Sequence, residues 1–431
     1  MSISDKFKTF LQNTKITNED QISLRYGEIT STLNKEFRNT DSKISNCLQV
    51  GSYGRWTAIQ GISDLDMLYI MPSSKWEDYK NGGQSRLLED TKTAIKNRYP
   101  RTDIFVDSPV VRVLYTNFHV EVQPVFEEDD GSFTYPDTSN EGSWKKTKPR
   151  CEIKATSEVD DEKNKNLRRL CRMARAWKNK HGVAMGGLLI DTLAHNFLKS
   201  TNDYDDKSYL YYDYLSRDFF KYLSELPEQE YYAALGSGQR VKVKKKFQRA
   251  AKKAHSLALE AIAASGTDNE NHKWRKLYGR QFPAAEKMAK SAMDWLSTTR
   301  RFEDTEELVE NKFPIDVRFH LQIECEVSQN GFREAFLRQL IANRTPLSVS
   351  KKLKFFITEC TVPRPYRVYW KVLNRGPEAE RKNCIRGQIR ADGGYNEITE
   401  QTSFNGDHIV ECYIVKNDVV VAKDRIHVPI K

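Results

Sequence analysis

The chain has 431 residues, 39% of them hydrophobic and 30% charged, and this length favours two or three domains over a single core. The longest apolar stretch, 183–190, is too short to span a bilayer and the N-terminus lacks a signal pattern, so we expect a cytoplasmic protein without a membrane span. The seven cysteines include no C-x-x-C pair, which argues against a disulfide framework, and the net charge of +10 suits anionic partners.

The N-terminal part of the chain alternates between helical and strand periodicity. Apolar residues at three- and four-residue steps predict helices at 3–13, from Asn18 to about 39–41, and at 84–98. Shorter apolar runs predict strands at 47–51 and 65–71 and a hairpin at 110–115 and 118–126. Residues 127–162 contain an acidic run and several Gly and Pro, so we expect them to be mostly loop. The pattern predicts a mixed sheet with helices.

A helical segment and then a strand-rich segment follow. Helical periodicity predicts helices at 164–180, 186–199, 204–223, 241–264 and 284–298. Apolar residues alternate from Phe313 to Val327, and strand-like runs recur at 353–361, 366–373, 384–390, 408–415 and 418–428. We therefore expect an α/β lobe at 1–160, a helical lobe at 161–305 that completes a cleft, and a C-terminal β-sandwich-like domain at 306–431.

The strongest chemical signal is the segment GSYGRWTAIQGISDLD at residues 51–66. Alternate residues of a strand share a face, so Asp64 and Asp66 are expected to lie side by side. Two adjacent carboxylates repel each other unless a cation lies between them. Oxygen ligands at this spacing suit Mg²⁺, with Mn²⁺ as an alternative.

Glu121 supplies a third carboxylate on a predicted strand. It lies between Val120 and Val122, so its side chain is expected to face away from these apolar neighbours. Three carboxylates can hold two Mg²⁺ ions, which activate an attacking hydroxyl and neutralise a leaving pyrophosphate. His119 shares the face of Glu121, and for it we expect a supporting or structural role rather than metal coordination.

The Gly51-Ser52 turn precedes a segment that can start a helix. Its backbone N–H groups and the Ser52 hydroxyl are expected to bind a triphosphate, and no Walker A sequence occurs in the chain. A lone Gly-Ser turn, D-x-D pair or strand glutamate is a weak signal. Their order and spacing agree here, with twelve residues from Ser52 to Asp64, and the prediction depends on that combination.

These residues resemble a known family. The segment 51–66 is similar to the Gly-Ser…D-x-D signature of the DNA polymerase β-like nucleotidyltransferases, and more narrowly to the cyclic GMP-AMP synthase and bacterial cyclic-dinucleotide-synthase-like group. EVQPVF at 121–126 resembles the third-acid motif of that group, in which Asp is common and Glu keeps the carboxylate. The resemblance continues through NLRRLCRMARAWKNKHG to roughly residue 300. YRVYWKVLNRGPEAERKNCIRGQI and HIVECYIVKNDVVVAKDRIHVPI resemble the β-rich sensor domain that follows some bacterial members.

The resemblance implies an enzyme that makes a cyclic or short oligonucleotide second messenger from nucleoside triphosphates in anti-phage signalling. It further implies a separate effector protein activated by the product and a regulatory ligand at the C-terminal domain. The implied catalytic and metal-binding residues are Asp64, Asp66 and Glu121, and the implied nucleotide contacts are Gly51, Ser52, Arg55 and Lys178. The zinc-binding insert of the animal DNA-sensing member has no counterpart here, so neither it nor its DNA trigger is expected.

Two other functions are compatible with the motifs. A template-independent polymerase making linear oligonucleotides would use the same three carboxylates. A catalytically idle protein that senses nucleotides or nucleic acid would keep the fold, although the intact carboxylate triad argues against it. Lys178 belongs to a basic helical stripe with Arg168, Arg172 and Arg175, for which a phosphate-facing and a solvated role are equally compatible with the sequence.

Overall fold

The computed structural model divides the chain into two compact units. The first unit comprises Met1–Trp177 and Gly186–Pro283, and the second comprises Lys178–Met185 and Ala284–Lys431. The predicted boundaries at residues 160 and 305 would divide the chain into three parts instead of two, and they stay a prediction. The described residues are 1–61, 64–116, 118–285, 307–329, 332–343, 345, 347–374, 387–402 and 405–430. Within these residues, no helix is both long and apolar enough to cross a membrane.

The first unit contains a mixed sheet of seven described strands. They are β1 (Cys47–Gln49), β2 (Asp64–Ile70), β3 (Ile104–Asp107), β4 (Val110–Leu114), β5 (His119–Glu127), β6 (Phe133–Asp137) and β7 (Ser143–Thr147). The main path runs β1-β2-β5-β4-β3, and β6 pairs with both β5 and β7. The β2–β5 pair is parallel and the other pairs are antiparallel, which confirms the predicted mixed sheet.

Helices make up most of the remaining first unit. They are α1 (Ile3–Asn13), α2 (Glu19–Arg38), α3 (Gly51–Gly54), α4 (Trp76–Tyr79), α5 (Gln84–Arg98), α6 (Pro149–Glu162), α7 (Asn166–His181), α8 (Gly187–Lys199), α9 (Tyr212–Glu225), α10 (Gln248–Ala263) and α11 (Glu270–Tyr278). A separate hairpin pairs β8 (Tyr231–Ala233) with β9 (Arg240–Lys242). The helices predicted at 3–13 and 84–98 have the predicted bounds.

Strand alternation gives this sheet one apolar and one polar face. The apolar positions of β2, β4 and β5 share a core with α2 and α5, and its fully buried members include Met67, Val111, Val113, Val120, Val122, Ile22, Ile29, Leu33, Leu87 and Leu88. Burying each such side chain stabilises the fold by roughly 1.5–3 kcal/mol, so a one-residue register slip would be costly. The intervening positions of β2 and β5 therefore face the opposite side of the sheet.

The loop predicted at 127–162 is wrong, because this segment folds into a hairpin and a helix. Strands β6 and β7 are joined through Asn140, Glu141 and Gly142, whose φ values of 49°, 70° and 91° form a tight left-handed turn. Pro149 occupies the first turn of α6, where its fixed φ favours helix initiation. Gly142 and Pro149 therefore mark the ends of regular elements, whereas Pro136 lies within β6. The short strand β3 was also not predicted.

Two helices predicted farther along begin later than expected. The helix predicted at 241–264 begins at Gln248, because the preceding segment Arg240–Lys242 forms β9. The sequence RVKV at 240–243 alternates with a period of two, which suits a strand. The basic residues that continue from this strand into the helix made the two elements look like one helix. The helix predicted at 204–223 begins at Tyr212, after a short 3₁₀ turn at Tyr209–Tyr211. The predicted helix 284–298 lies outside the described residues apart from its first two positions.

The second unit contains two sheets with four described strands each. The strands are β10 (Leu321–Gln329), β11 (Phe332–Phe336), β12 (Lys352–Cys360), β13 (Arg367–Leu373), β14 (Ile389–Ala391), β15 (Glu397–Gln401), β16 (Gly406–Lys416) and β17 (Val419–Ile430), and the helices are α12 (Val309–Lys312) and α13 (Leu337–Ala342). One sheet has the order β11-β10-β12-β15 and the other β14-β13-β16-β17. Residues from both, such as Ile323, Phe355, Trp370 and Ile414, share one core, which agrees with the expected sandwich-like domain.

The long strand predicted from Phe313 to Val327 is correct only in its second half. Strand β10 begins at Leu321, whereas Ile315 forms an isolated parallel bridge to Val420. The Arg318 amide donates to the Val421 carbonyl, so this segment pairs with β17 rather than extending β10. Apolar alternation identified an extended chain but not the change of pairing partner.

Candidate active site

The parallel pairing of β2 with β5 gathers four titratable side chains. Asp64 is in register with His119, and Asp66 is in register with Glu121. All four occupy alternate positions opposite the apolar core, so they share the polar face of the sheet. The structure therefore brings together the three acids predicted to form the active site.

Three of these side chains form a compact buried cluster. Asp64, His119 and Glu121 are 6%, 2% and 8% exposed. His119 Nε2 lies 2.6 Å from Asp64 Oδ1 and 3.6 Å from Glu121 Oε1. One potential ligand atom from each residue lies within 4.8 Å of the others, a spacing that can hold a metal ion. Histidine was not among the predicted ligands.

Arg112 is the cation that contacts this cluster among the described ion pairs. Its Nη2 lies 2.7 Å from Glu121 Oε1, its Nε lies 2.9 Å from Asp107 Oδ2, and its Nη1 lies 3.1 Å from His119 Nε2. Glu121 Oε1 is nevertheless buried without a hydrogen bond of normal geometry. Among the described residues, Arg112 thus contacts Asp107, His119 and Glu121, and the carboxylate and imidazole donors gathered here fit a divalent cation. Alternation along the predicted hairpin would have placed Arg112 on this face.

Asp66 packs directly against the Gly51-Ser52 turn. Gly51 has φ 63°, and a Cβ at this position would lie 1.7 Å from Asp66 Oδ2. The Val50 amide donates to the Asp66 carbonyl over 3.0 Å, and the Thr57 amide donates to the Ser52 carbonyl over 2.9 Å. Only glycine leaves room for the carboxylate here, so the turn and the second acid form one unit.

A cavity of about 330 Å³ opens on the polar face of the sheet. Its lining includes Asp66, Arg112 and Glu121, together with Asp107 and Gln123. Asp66 and Glu121, two of the three acids predicted for catalysis, therefore border a space that a small ligand can enter.

Arg55, one of the predicted nucleotide contacts, is buried in a cluster of ion pairs, and a nucleotide contact for it stays a prediction. It is 3% exposed, and its guanidinium donates to Asp191 over 2.9 Å and to Glu152 over 3.2 Å. Arg175 donates to both oxygens of Asp191, at 2.5 and 3.0 Å, and Thr57 donates to it over 2.9 Å. Burial alone would raise the pKa of Asp191, but Arg175 and Arg55 outweigh burial and hold it below its usual value. Arg55 thus fixes the segment that follows the Gly51-Ser52 turn.

Lys178, the other predicted nucleotide contact, is engaged within the second unit. Its ammonium lies 2.7 Å from Asp316 Oδ1, and its side chain is 3% exposed. Arg168 of the same helical stripe pairs with Asp160 over 3.3 Å. A nucleotide contact for Lys178 stays a prediction. Helical periodicity did not indicate that these basic residues would pair with Asp160, Asp191 and Asp316.

Comparisons with known families agree with the motifs. Residues 1–160 match the family described as "Second Messenger Oligonucleotide or Dinucleotide Synthetase domain". Residues 303–431 match the family described as "Adenylyl/Guanylyl and SMODS C-terminal sensor domain". Among curated proteins, none matches the chain.

Three solved structures of bacterial proteins are among those similar to this chain. E. coli MS115-1 CdnC, in a complex with HORMA-deltaN, has a TM-score of 0.47 and 16% identity over 65% of this chain and 98% of that one. The apo form of Vibrio cholerae DncV has a TM-score of 0.44 and 14% identity over 66% and 81%. Bradyrhizobium diazoefficiens CdnG, in complex with GTP, has a TM-score of 0.48 and 10% identity over 67% and 97%. With TM-scores this low, these likenesses add nothing to what the family matches establish. Residues 1–160 are therefore similar to the second-messenger oligonucleotide or dinucleotide synthetase family and residues 303–431 to the C-terminal sensor family, and these matches indicate a nucleotidyltransferase.

Proposed function

We propose that the chain joins nucleoside triphosphates into a cyclic or short oligonucleotide second messenger, using Mg²⁺ or Mn²⁺ held by Asp64, Asp66 and Glu121. The observation that carries the proposal is the parallel register of β2 and β5, which gathers Asp64, Asp66 and Glu121 on one face of the sheet. The buried Glu121 Oε1, which lacks a normal hydrogen bond, supports a cation site at this position. The Gly51-Ser52 turn beside Asp66 supplies a triphosphate-binding element next to the acids.

Different residues of the site have different roles in nucleotidyl transfer. Asp64, Asp66 and Glu121 hold the metal, and the Ser52 hydroxyl and neighbouring backbone N–H groups bind the triphosphate. A hydroxyl of one nucleotide loses its proton to solvent as its oxygen forms a bond to the α-phosphorus of another, and the bond from that phosphorus to the leaving pyrophosphate breaks. The bound divalent cation supplies charge compensation for the triphosphate and makes the attacking hydroxyl more acidic. Arg55 acts indirectly, by holding the chain after the turn against Asp191 and Glu152.

The family description supports a second messenger as the product, and we extend the proposal to anti-phage signalling through an effector protein that the product activates. The same carboxylates would equally catalyse formation of a linear oligonucleotide. Full-length protein should therefore be incubated with Mg²⁺ and all four ribonucleotides, and separately with all four deoxyribonucleotides. Mass spectrometry should find a product that phosphatase does not alter. A series of products of increasing length that phosphatase does alter would indicate linear oligonucleotides instead of a cyclic product. Unreacted substrates under every condition would overturn the proposal.

We further propose that the C-terminal domain regulates the enzyme by binding a ligand or partner. The sensor-family match at 303–431 supports this role, and the two sheets form their own core. Such regulation requires a ligand that binds the active and inactive states with different affinity. A truncation ending near residue 305 should fold, bind triphosphate and change the basal rate or the response to phage challenge. Unfolding would indicate a structural role, and behaviour identical to the full chain would contradict regulation.

A further inference from the structure

We propose that His119 is a direct ligand of the metal site, beside Asp64 and Glu121, and that it makes this site prefer Mn²⁺ to Mg²⁺. The inference rests on the proposed function, because it concerns the same metal site. It adds a nitrogen ligand to a set that the sequence predicts as carboxylates alone.

The backbone fixes the position of the imidazole. His119 begins β5, directly in register with Asp64 on β2, and its neighbour Val120 is buried in the core on the other face. The His119 residue is 2% exposed, so packing restricts its ring. Its Nε2 therefore lies between the acids, 2.6 Å from Asp64 Oδ1 and 3.6 Å from Glu121 Oε1.

Hydrogen bonding alone does not explain the two contacts of this nitrogen. As a carboxylate oxygen, Asp64 Oδ1, 2.6 Å from Nε2, accepts a hydrogen bond, whereas Arg112 Nη1, 3.1 Å from the same Nε2, can only donate. One ring nitrogen cannot donate to Asp64 and accept from Arg112 at the same time. The Glu121 Oε1 atom beside it is buried without a normal hydrogen bond. A cation bound by the Nε2 lone pair and both carboxylates would give Nε2, Asp64 Oδ1 and Glu121 Oε1 a common partner, while Arg112 would keep its ion pairs with Asp107 and Glu121.

The ligand chemistry sets the preferred metal. Mg²⁺ favours oxygen ligands and retains its waters, whereas imidazole nitrogen is a good ligand for first-row transition-metal ions. Carboxylates suit Mn²⁺ as well as Mg²⁺. One imidazole with Asp64 and Glu121 therefore favours Mn²⁺ without excluding Mg²⁺.

Pulsed electron paramagnetic resonance of bound Mn²⁺ tests the ligand directly. The full-length protein should be loaded with Mn²⁺ alone, and the spectrum should contain a ¹⁴N coupling that ¹⁵N-labelled histidine alters. His119→Gln places an amide oxygen near the position of Nε2. This variant should lose the coupling, bind Mn²⁺ about tenfold more weakly or worse, and lose its preference over Mg²⁺. His195→Gln is the matched control, because His195 lies on α8 and contacts Asn196.

The outcomes separate this inference from the proposed function. If wild-type protein binds Mn²⁺ through Asp64 but shows no ¹⁴N coupling, His119 only positions Asp64 and the inference is wrong. It is also wrong if the coupling survives in His119→Gln. If the coupling is present but neither metal supports pyrophosphate release, the metal ligand is correct and the proposed function fails.

Discussion

Two clusters of buried charged residues in the first unit differ in how their positive and negative groups are paired. Around Asp191, the guanidinium groups of Arg55 and Arg175 face two carboxylates, and both oxygens of Asp191 accept hydrogen bonds. On the polar face of the sheet, the described ion pairs join Arg112 to Asp107 and Glu121, and Glu121 keeps a buried oxygen without a normal hydrogen bond. The cluster around Asp191 is complete within the protein chain. The cluster on the sheet has the composition expected of a site that binds an additional cation.

Glu121 should give the largest effect on activity. Glu121→Gln preserves shape but removes a charge, so we expect pyrophosphate release to fall by roughly a thousandfold or more, equivalent to about 4 kcal/mol. Triphosphate binding should change only modestly, because the Ser52 turn is intact. Glu121→Asp should retain some activity.

Glu127→Gln is the matched control for Glu121→Gln. Glu127 ends the same strand and pairs with Arg150 at a partly exposed site. Its activity should stay close to that of wild type. An active Glu121→Gln enzyme would remove Glu121 from the proposed metal ligands.

Gly51→Ala should lower activity on the order of a hundredfold, because its Cβ would displace the Asp66 carboxylate. Gly131→Ala is the control, since Gly131 also has a positive φ, 75°, but a Cβ added there would meet open space. Both substitutions strain the backbone, but only the Cβ added at Gly51 would contact the Asp66 carboxylate. Steady-state pyrophosphate release should separate them, and equal losses would mean that contact with Asp66 is unimportant.

Asp191→Asn should instead act on stability. It removes the buried carboxylate that Arg55 and Arg175 share and leaves Glu152 as the carboxylate paired with Arg55, and breaking a buried ion pair typically costs about 3–5 kcal/mol. Asp64→Asn should not destabilise the protein in this way, because it relieves repulsion among acids. Urea unfolding should show this contrast, with the exposed Asp203→Asn as a neutral control. A wild-type unfolding free energy for Asp191→Asn would contradict the structural role of this cluster.

The contribution of Asp191 should also depend on pH. Its pKa in the folded protein lies below the usual value, because Arg175 and Arg55 outweigh the effect of burial. The stabilisation is therefore fully present above the usual carboxyl pKa of about 4 and decreases as the pH falls toward the folded pKa. The difference in unfolding free energy between wild type and Asp191→Asn should be constant near neutral pH and shrink below about pH 4. A difference that grows on acidification would have the wrong sign.

Sequence patterns located the acids because strand alternation acts over neighbouring residues. Asp64 and Asp66 share a face by a local rule, and Glu121 joins them once β2 pairs with β5. Alternation also placed His119 on this face, but its 2.6 Å approach to Asp64 depends on parallel register, which periodicity does not specify.

The basic residues were harder to interpret from the sequence. Arg55 pairs with Asp191, 136 positions later, and Lys178 pairs with Asp316, 138 positions later. Each sequence separation is long, so neither helical periodicity nor a local motif indicates the partner. Such pairs can be identified only in the folded structure, whereas a D-x-D pair can be recognised within three consecutive residues of the sequence.

The most direct test of the cation site is pyrophosphate release by full-length protein with ribonucleoside triphosphates, in the presence and absence of Mg²⁺. Wild type should react only with a divalent cation. The Asp64→Asn, Asp66→Asn double variant should be inactive while retaining wild-type unfolding behaviour, and the exposed Asp78→Asn control should be active. Wild-type turnover by the double variant in Mg²⁺ would contradict the assignment of this face as the catalytic metal site.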